Sequence, residues 1–326
     1  MNSFLFAINA VAPIVIMTAI GYILKKAGLF SAEFSKTANK SVFKIFLPAM
    51  LFLNVYKIDI SEKTDLSYIL YVFAVVLVLF ALSIPLARIA SEKNERRSVI
   101  MQAAFRSNYA LIGIPLAQSL FGEEGVIVAT LLSALVIPLF NILAVIALSI
   151  YGKGKPNVKK ILLDILKNPL IQSIALGGIF LMVRSAFVNY GVSLRLTDIT
   201  PVYKVLTYLS NVATPLSLLV LGAQFEFSRI GDMKREIFSG IIMRTFIIPV
   251  LGLGTAYLLF ADNFNGAHFA AFIAVFTTPM AVSSVAMSQE MGADAELAGQ
   301  LVIWTTVSSA FTTFIASFIL KSLGVF

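Results

Sequence analysis

Two apolar stretches are each interrupted by a run of small polar residues beside a proline, and these residues are best suited to chemistry. The first run extends from Phe105 to Pro115 and the second from Phe276 to Ser284. Proline removes a helical hydrogen bond, so both runs should free backbone polar groups in apolar surroundings. Free N–H groups at a helix start attract negative charge. The pattern predicts a small-anion site, with second half-helices beginning near Pro115 and Pro279.

The candidate binding residues are side chains of these two runs and one further arginine. They are Asn108, Arg106, Gly113, Pro115, Thr277, Thr278, Pro279, Ser283, Ser284 and Arg244. Arg106 precedes Pro115 by nine residues, about 13 Å of helix, so it could snorkel at the hydrocarbon edge instead of binding substrate. Arg244 lies deeper, and pairing with carbonyls is its alternative. Gln102 and Asn141 are interpreted as packing residues.

The parts of common enzyme and metal sites are missing from the sequence. There is no cysteine and only one histidine, His268, so thiol chemistry and a histidine-rich metal site are excluded. No acid falls deep within an apolar stretch, which argues against a proton relay through a buried carboxylate. Sodium would have to bind Asn108, the hydroxyls and freed carbonyls. We therefore expect no enzyme and no cofactor, with Na⁺ or H⁺ left open as a coupling ion.

The composition indicates that lipid is the solvent for most of the surface. Hydrophobic residues make up 59% and charged residues 13% of the chain, with a mean hydropathy of +0.91, whereas soluble domains carry about 25% charged residues. The formal charge is +8, but the basic residues lie in short loops. No nucleic-acid partner is therefore expected. The fold class predicted is an all-α polytopic membrane protein.

Ten stretches are long enough to span a hydrocarbon core of about 30 Å. They are residues 4–24, 38–56, 66–90, 98–120, 125–151, 161–184, 200–223, 237–260, 267–288 and 297–320. The first is interpreted as a retained helix because it has no basic start and no cleavage site. The apolar runs are too long and unbroken for a membrane barrel.

Prolines recur in matching order in the two halves of the chain. The pairs are Pro13 with Pro169, Pro48 with Pro215, Pro85 with Pro249, and Pro115 with Pro279. Five spans per half is an odd number, so the second half would enter the membrane from the opposite side. We predict two inverted five-helix repeats, residues 1–152 and 153–326, with broken helices four and nine. Such repeats favour an alternating-access transporter, although proline-tolerant helices and channels share some of these features.

The basic residues divide unequally between the two ends of the predicted spans. Six Lys and Arg lie on the N-terminal side and seventeen on the opposite side, with Arg106 and Arg244 inside spans. Basic loops stay in the cytoplasm. The 153–167 loop should therefore be cytoplasmic and both termini outside, in a multi-pass protein of the cell membrane.

The run Asn108-x-x-x-x-Gly113-x-Pro115 resembles the crossover motif of the auxin efflux carrier family, which includes PIN-type auxin carriers and bacterial malonate or malate permeases. Pro279, followed by Glu290 and then Glu296, is similar to the ninth helix and following loop of that family. The resemblance implies a fold like that of bile-acid sodium symporters. Helices one, two, six and seven would form a scaffold, and helices 3–5 and 8–10 a transport domain.

The resemblance further implies that Asn108 contacts substrate, that Pro115 and Pro279 are the crossover prolines, and that a homodimer through the scaffold is possible. Only about ten residues join spans five and six, and Gln289 stands where plant members tend to have lysine. These departures favour a bacterial carrier of mono- or dicarboxylates over an auxin carrier. A sodium-coupled symporter of the bile-acid type and an anion channel are the alternatives.

Overall fold

The computed structural model describes residues 2–57, 66–152, 158–189 and 195–325. Within these ranges the chain is helical, and the only extended pairing is an isolated antiparallel bridge between Ser107 and Met280. Six of the described stretches are long and apolar enough to cross a membrane. They are Ser67–Ala90, Leu111–Ile150, Pro169–Val188, Thr200–Gln224, Arg229–Asn263 and Ala295–Ser322.

Seven α-helices precede Asn168. They are α1 (Asn2–Lys26), α2 (Ala32–Ser41), α3 (Leu47–Tyr56), α4 (Ser67–Ala90), α5 (Asn94–Phe105), α6 (Ile114–Ile150) and α7 (Val158–Lys167). Seven more follow it. They are α8 (Pro169–Asn189), α9 (Thr200–Gln224), α10 (Lys234–Ile242), α11 (Ile248–Phe260), α12 (Gly266–Phe276), α13 (Ser283–Glu290) and α14 (Ala295–Ser322). Three π-helical segments (Val42–Phe46, Tyr109–Gly113, Met243–Ile247) and three 3₁₀ segments (Leu196–Asp198, Phe227–Met233, Ala261–Asn263) connect some of these helices.

Each of the three π-helical segments ends two residues before a proline, namely Pro48, Pro115 or Pro249. A proline ring clashes with the carbonyl four residues back, and a wider π-turn removes that clash without ending the helix. The Ile114 N–H accordingly donates to the Tyr109 carbonyl, five residues back. The α-helix α6 begins at Ile114, near Pro115 as predicted, but π-helical structure already resumes at Tyr109, which the sequence did not indicate.

Two helical runs are interrupted by backbone outside regular helix. One interruption covers residues 106–108, between α5 and the π-segment before α6, and the other covers residues 277–282, between α12 and α13. The second contains Pro279, but helix resumes only at Ser283, four residues later than predicted. A further bend lies within α6, where Gly122 has a positive φ of 60° that suits glycine.

The predicted sixth span, residues 161–184, began too early. Residues 158–167 form the separate helix α7, and α8 begins at Pro169. Asn168 separates the two helices, since its side-chain oxygen accepts a hydrogen bond of 2.9 Å from the Leu170 N–H at the start of α8. The predicted span included the leucines of α7 because they are apolar, although α7 also carries lysines.

Two groups of helices surround the interruptions. In the first, α1 lies along α9, and α3 packs against both α8 and α9. The approach of α1 to α9 depends on glycine, because a Cβ on Gly222 would lie 1.8 Å from the Thr18 carbonyl oxygen and one on Gly21 would lie 2.0 Å from that of Leu219. In the second group, α12 packs along α6, α4 along α5, and α10 and α13 along α14. The interrupted helices belong to the second group.

A buried ion cluster fixes the start of α5. The guanidinium of Arg96 donates to Glu236 at 2.9 Å and to Asp294 at 3.0 Å. Burial opposes its charge, but these two hydrogen bonds outweigh burial and hold the pKa of Arg96 above its ordinary value. The cluster therefore stays ionised and ties α5 to α10 and to the turn before α14.

Candidate functional site

The two interruptions lie side by side and are hydrogen-bonded to each other. The Asn108 N–H donates to the Pro279 carbonyl at 2.8 Å, and the Ala281 N–H donates more weakly to the Arg106 carbonyl at 3.4 Å. These bonds satisfy some of the backbone groups that the breaks set free. We call residues 106–108 and 277–282 together the crossover. Four half-helices, α5, the π-segment with α6, α12 and α13, meet there.

Two polar side chains of the crossover are left without partners. The Ser107 hydroxyl oxygen and the Asn108 amide nitrogen are buried and make no hydrogen bond. Ser107 is 4% exposed. An unsatisfied buried polar group costs about 1–3 kcal/mol, so both groups are suited to bind a ligand that offers acceptor oxygens.

Arg106 lies at the crossover and not at the hydrocarbon edge. Its side chain is 2% exposed, so the expectation of snorkelling is wrong. The estimate of 13 Å assumed a break at Pro115, whereas α5 ends one residue before Arg106. Five side-chain atoms accept hydrogen bonds from its terminal nitrogens: Gln102 Oε1, Ser284 Oγ, Met287 Sδ, Asn141 Oδ1 and Ser283 Oγ.

Gln102 and Asn141, interpreted from the sequence as packing residues, are two of the residues that hydrogen-bond to Arg106. Gln102 is one turn before Arg106 on α5, a spacing that places both side chains on one helix face. That spacing could have been read from the sequence. Asn141 is distant along the chain and belongs to α6, so only the folded chain shows that it contacts Arg106.

Arg244 is also buried, at 1% exposed, but it binds backbone. Its Nε donates to the Thr278 carbonyl at 2.6 Å, and a terminal nitrogen donates to the Val275 carbonyl at 2.8 Å. Both acceptors are at the C-terminal end of α12, where carbonyls lack helical partners and a cation is favourable. Arg244 thus caps α12, which matches the carbonyl pairing that we had kept as the alternative to substrate contact.

The remaining candidate residues divide into those that meet at the crossover and those that do not. The hydroxyls of Thr277 and Thr278 donate back to carbonyls of α12, and that of Thr277 also contacts Thr313 of α14. Gly113 allows close packing, since a Cβ there would lie 3.2 Å from Ala274 of α12. Pro115 lies in the first turn of α6. Of the ten residues, Arg106, Asn108, Thr277, Thr278 and Pro279 lie within the crossover. Ser283 and Ser284 directly follow it and contact Arg106.

Neither Arg106 nor Arg244 has an ion-pair partner among the residues that the structure describes. A buried guanidinium without a carboxylate is costly in an apolar interior. Neutral oxygens around Arg106 lower that cost but leave its charge uncompensated. The crossover therefore combines unpartnered donors with a positive field, an arrangement suited to an anion.

A second polar region lies where the end of α9 faces α13 and α14. The amide of Asn39 donates to Gln224 at 3.0 Å and to Gln289 at 2.6 Å, so the two helix groups are joined there. Beside this amide cluster is a cavity of ≈ 220 Å³ whose lining includes Arg229 and Glu296. No sequence pattern indicated this cavity, because its lining residues come from distant positions.

Long apolar helices around a polar crossover define a class, the polytopic membrane transport proteins. The profile described as "Membrane transport protein" matches residues 6–156 and 153–317, and the chain belongs to this family, which includes the auxin efflux carriers. The resemblance noted from Asn108 to Pro115 is thereby confirmed at the level of family.

Two archaeal proteins are similar over nearly their whole length. An uncharacterized transporter of Methanothermobacter thermautotrophicus is 24% identical over 94% of this chain and 96% of its own. Another, of Methanocaldococcus jannaschii, is 27% identical over 92% of this chain and 94% of its own. The family and these relatives are transporters and not enzymes. The chain is accordingly a multi-pass membrane protein.

Proposed function

We propose that the chain is a secondary transporter that moves a small organic anion, a mono- or dicarboxylate such as malate or malonate, by alternating access at the crossover. The observation that carries this proposal is the pair of buried donors, Ser107 Oγ and Asn108 Nδ2, left without partners at the crossover beside the unpaired charge of Arg106. A carboxylate would satisfy all three groups, since it accepts hydrogen bonds and carries the opposite charge.

The proposed substrate contacts follow from this geometry. Asn108 is the principal hydrogen-bond donor, and the backbone N–H groups at the starts of the two second half-helices add partial positive charge. Ser283 and Ser284 hold Arg106, which supplies the charge. Thr277, Thr278 and Arg244 act by shaping the end of α12 and do not contact the substrate.

The proposed organisation is ten spans in two inverted five-helix repeats, residues 1–152 and 153–326. The packing of α1, α3, α8 and α9 supports a scaffold built from spans one, two, six and seven. The family matches, which meet at residues 153–156, support the boundary between the repeats. Spans 3–5 and 8–10, which contain the crossover, would move against the scaffold. A homodimer through the scaffold belongs to the same proposal.

The proposed orientation puts both termini outside the cell membrane and the 153–167 loop in the cytoplasm. Residues 153–157 lie outside the described part of the chain, and the rest of the loop is α7. Pairing of Lys25 with Glu226 at 3.5 Å supports the grouping of the basic loops after α1 and α9 at one end of the molecule.

The proposal is tested by counterflow in proteoliposomes. Vesicles loaded with unlabelled malonate or malate should accumulate the labelled compound, and uptake should saturate with concentration, because a carrier exchanges substrate one molecule at a time. Empty liposomes are the control. Uptake that rises linearly with concentration and shows no stimulation by internal substrate would favour the anion channel, and absence of any carboxylate transport would refute the proposal.

A further inference from the structure

The acceptors around Arg106 converge from three separate helices. One terminal nitrogen donates to Gln102 Oε1 of α5 at 3.1 Å and to Ser284 Oγ of α13 at 3.2 Å. The other donates to Asn141 Oδ1 of α6 and Ser283 Oγ of α13, both at 2.8 Å. Four neutral oxygens thus surround one positive group, and we call them the oxygen cage.

Such a cage is chemically suited to a small hard cation. Amide and hydroxyl oxygens are ligands of hard metal ions, which avoid soft sulfur. The remaining acceptor, Met287 Sδ at 2.8 Å, is the only soft atom in the set. The guanidinium occupies the space between these oxygens.

We propose that Arg106 is a tethered substitute for a coupling cation: its guanidinium occupies the oxygen cage, so that the carrier binds its anion without Na⁺. This inference rests on the proposed function, because it concerns the charge that balances a carboxylate at the crossover. It also decides against the sodium-coupled symporter that the sequence left open.

Arg106 and Na⁺ exclude each other for two reasons. They require the same four oxygens, and two cations within a few ångströms repel strongly in a poorly polarisable interior. The described residues around the cage include no carboxylate that would offset a second positive charge. Removing the guanidinium while keeping the oxygens should therefore open a Na⁺ site.

The test compares the melting temperature of the purified protein in NaCl and in choline chloride at equal concentration, so that chloride is constant. Wild type should melt at the same temperature in both salts. Arg106→Met should melt higher in NaCl by about 2 °C when Na⁺ exceeds its dissociation constant severalfold. Arg106→Lys should remain unresponsive, because its ammonium still fills part of the cage.

Arg244→Met is the matched control, since it also removes a buried guanidinium but leaves only two carbonyls behind. It should show no response to Na⁺. The inference is overturned if NaCl stabilises wild type, or if folded Arg106→Met gains nothing from Na⁺. Should Arg106→Met fail to fold, ²²Na⁺ binding to wild type decides: absence of binding supports the inference and stoichiometric binding overturns it.

Failure of this inference about Arg106 is distinguishable from failure of the proposed function. Stabilisation of wild type by Na⁺ would refute the role of Arg106 while leaving carboxylate counterflow intact. Absence of carboxylate counterflow would refute the transport proposal whatever the response to Na⁺.

Discussion

At the residue scale, two neighbours in the crossover have opposite hydrogen-bonding states. Arg106 is surrounded by acceptors, whereas the amide nitrogen of Asn108 has none. A satisfied group contributes to a fixed structure, and an unsatisfied buried one lowers stability until a ligand binds. Arg106 therefore sets the charge of the proposed site. A change at Asn108 should weaken substrate binding without lowering the stability of the protein.

Asn108→Ala should reduce uptake at low carboxylate concentration by roughly 10- to 100-fold, because a hydrogen bond to a charged group contributes about 1.5–3 kcal/mol. Its melting temperature should be unchanged or slightly higher, since a buried donor without a partner is removed. Labelled malonate uptake and thermal unfolding of the same preparation measure the two effects. Asn211→Ala, at an exposed position of α9, is the control and should behave as wild type. Wild-type uptake by Asn108→Ala would remove Asn108 from the site.

Part of the candidate site could be located from the sequence, and part could not, for a physical reason. Helix interruption by small polar residues is a local property, so the region around Asn108 and Pro279 could be located from the chain alone. The depth of Arg106 in the membrane could not be located in this way, because it depends on whether Pro115 breaks the helix or a π-turn accommodates the proline. Contacts such as that from Arg106 to Asn141 join residues far apart in the chain, and spacing does not reveal them.

At the element scale, the proposed alternating-access mechanism needs helices that hold their distance while others move. The contact of α1 with α9 is made by backbones that approach closely at glycine, as is common where membrane helices pack without a hydrophobic driving force. The spans that form this contact, α1 and α9, could be located from apolar length to within a few residues. The separate helix α7 could not, because its leucines resemble those of a span and only Asn168 marks the boundary.

Gly222→Ala should destabilise the protein by roughly 1–3 kcal/mol, because its Cβ would meet the Thr18 carbonyl and force α1 and α9 apart. Thermal unfolding in detergent measures this loss. Gly178→Ala is the matched control: Gly178 is a helical glycine of α8 with open space where its Cβ would be. It should be neutral or stabilise slightly. Equal stability of the two variants would show that α1 and α9 are not closely packed in the membrane.

At the scale of the whole molecule, the proposed mechanism requires the crossover to meet water on each side of the membrane in turn. In the structure Ser107 is buried, and the amide cluster of Asn39, Gln224 and Gln289 joins the two helix groups at one end. Opening towards that end would break these amide contacts. Composition and the distribution of charge predicted a polytopic membrane protein, but no property of the sequence describes which contacts must break during the cycle.

The most direct test of an anion site at the crossover uses the absence of cysteine from the chain. Ser107→Cys introduces a single thiol. Its modification by a membrane-impermeant methanethiosulfonate reagent that carries a sulfonate group is measured in right-side-out and inside-out vesicles, with and without saturating malonate or malate. We expect modification from both sides and a large decrease in its rate when the dicarboxylate is present. A thiol that reacts from neither side or from only one, or that reacts equally fast with transported dicarboxylate present, would contradict it.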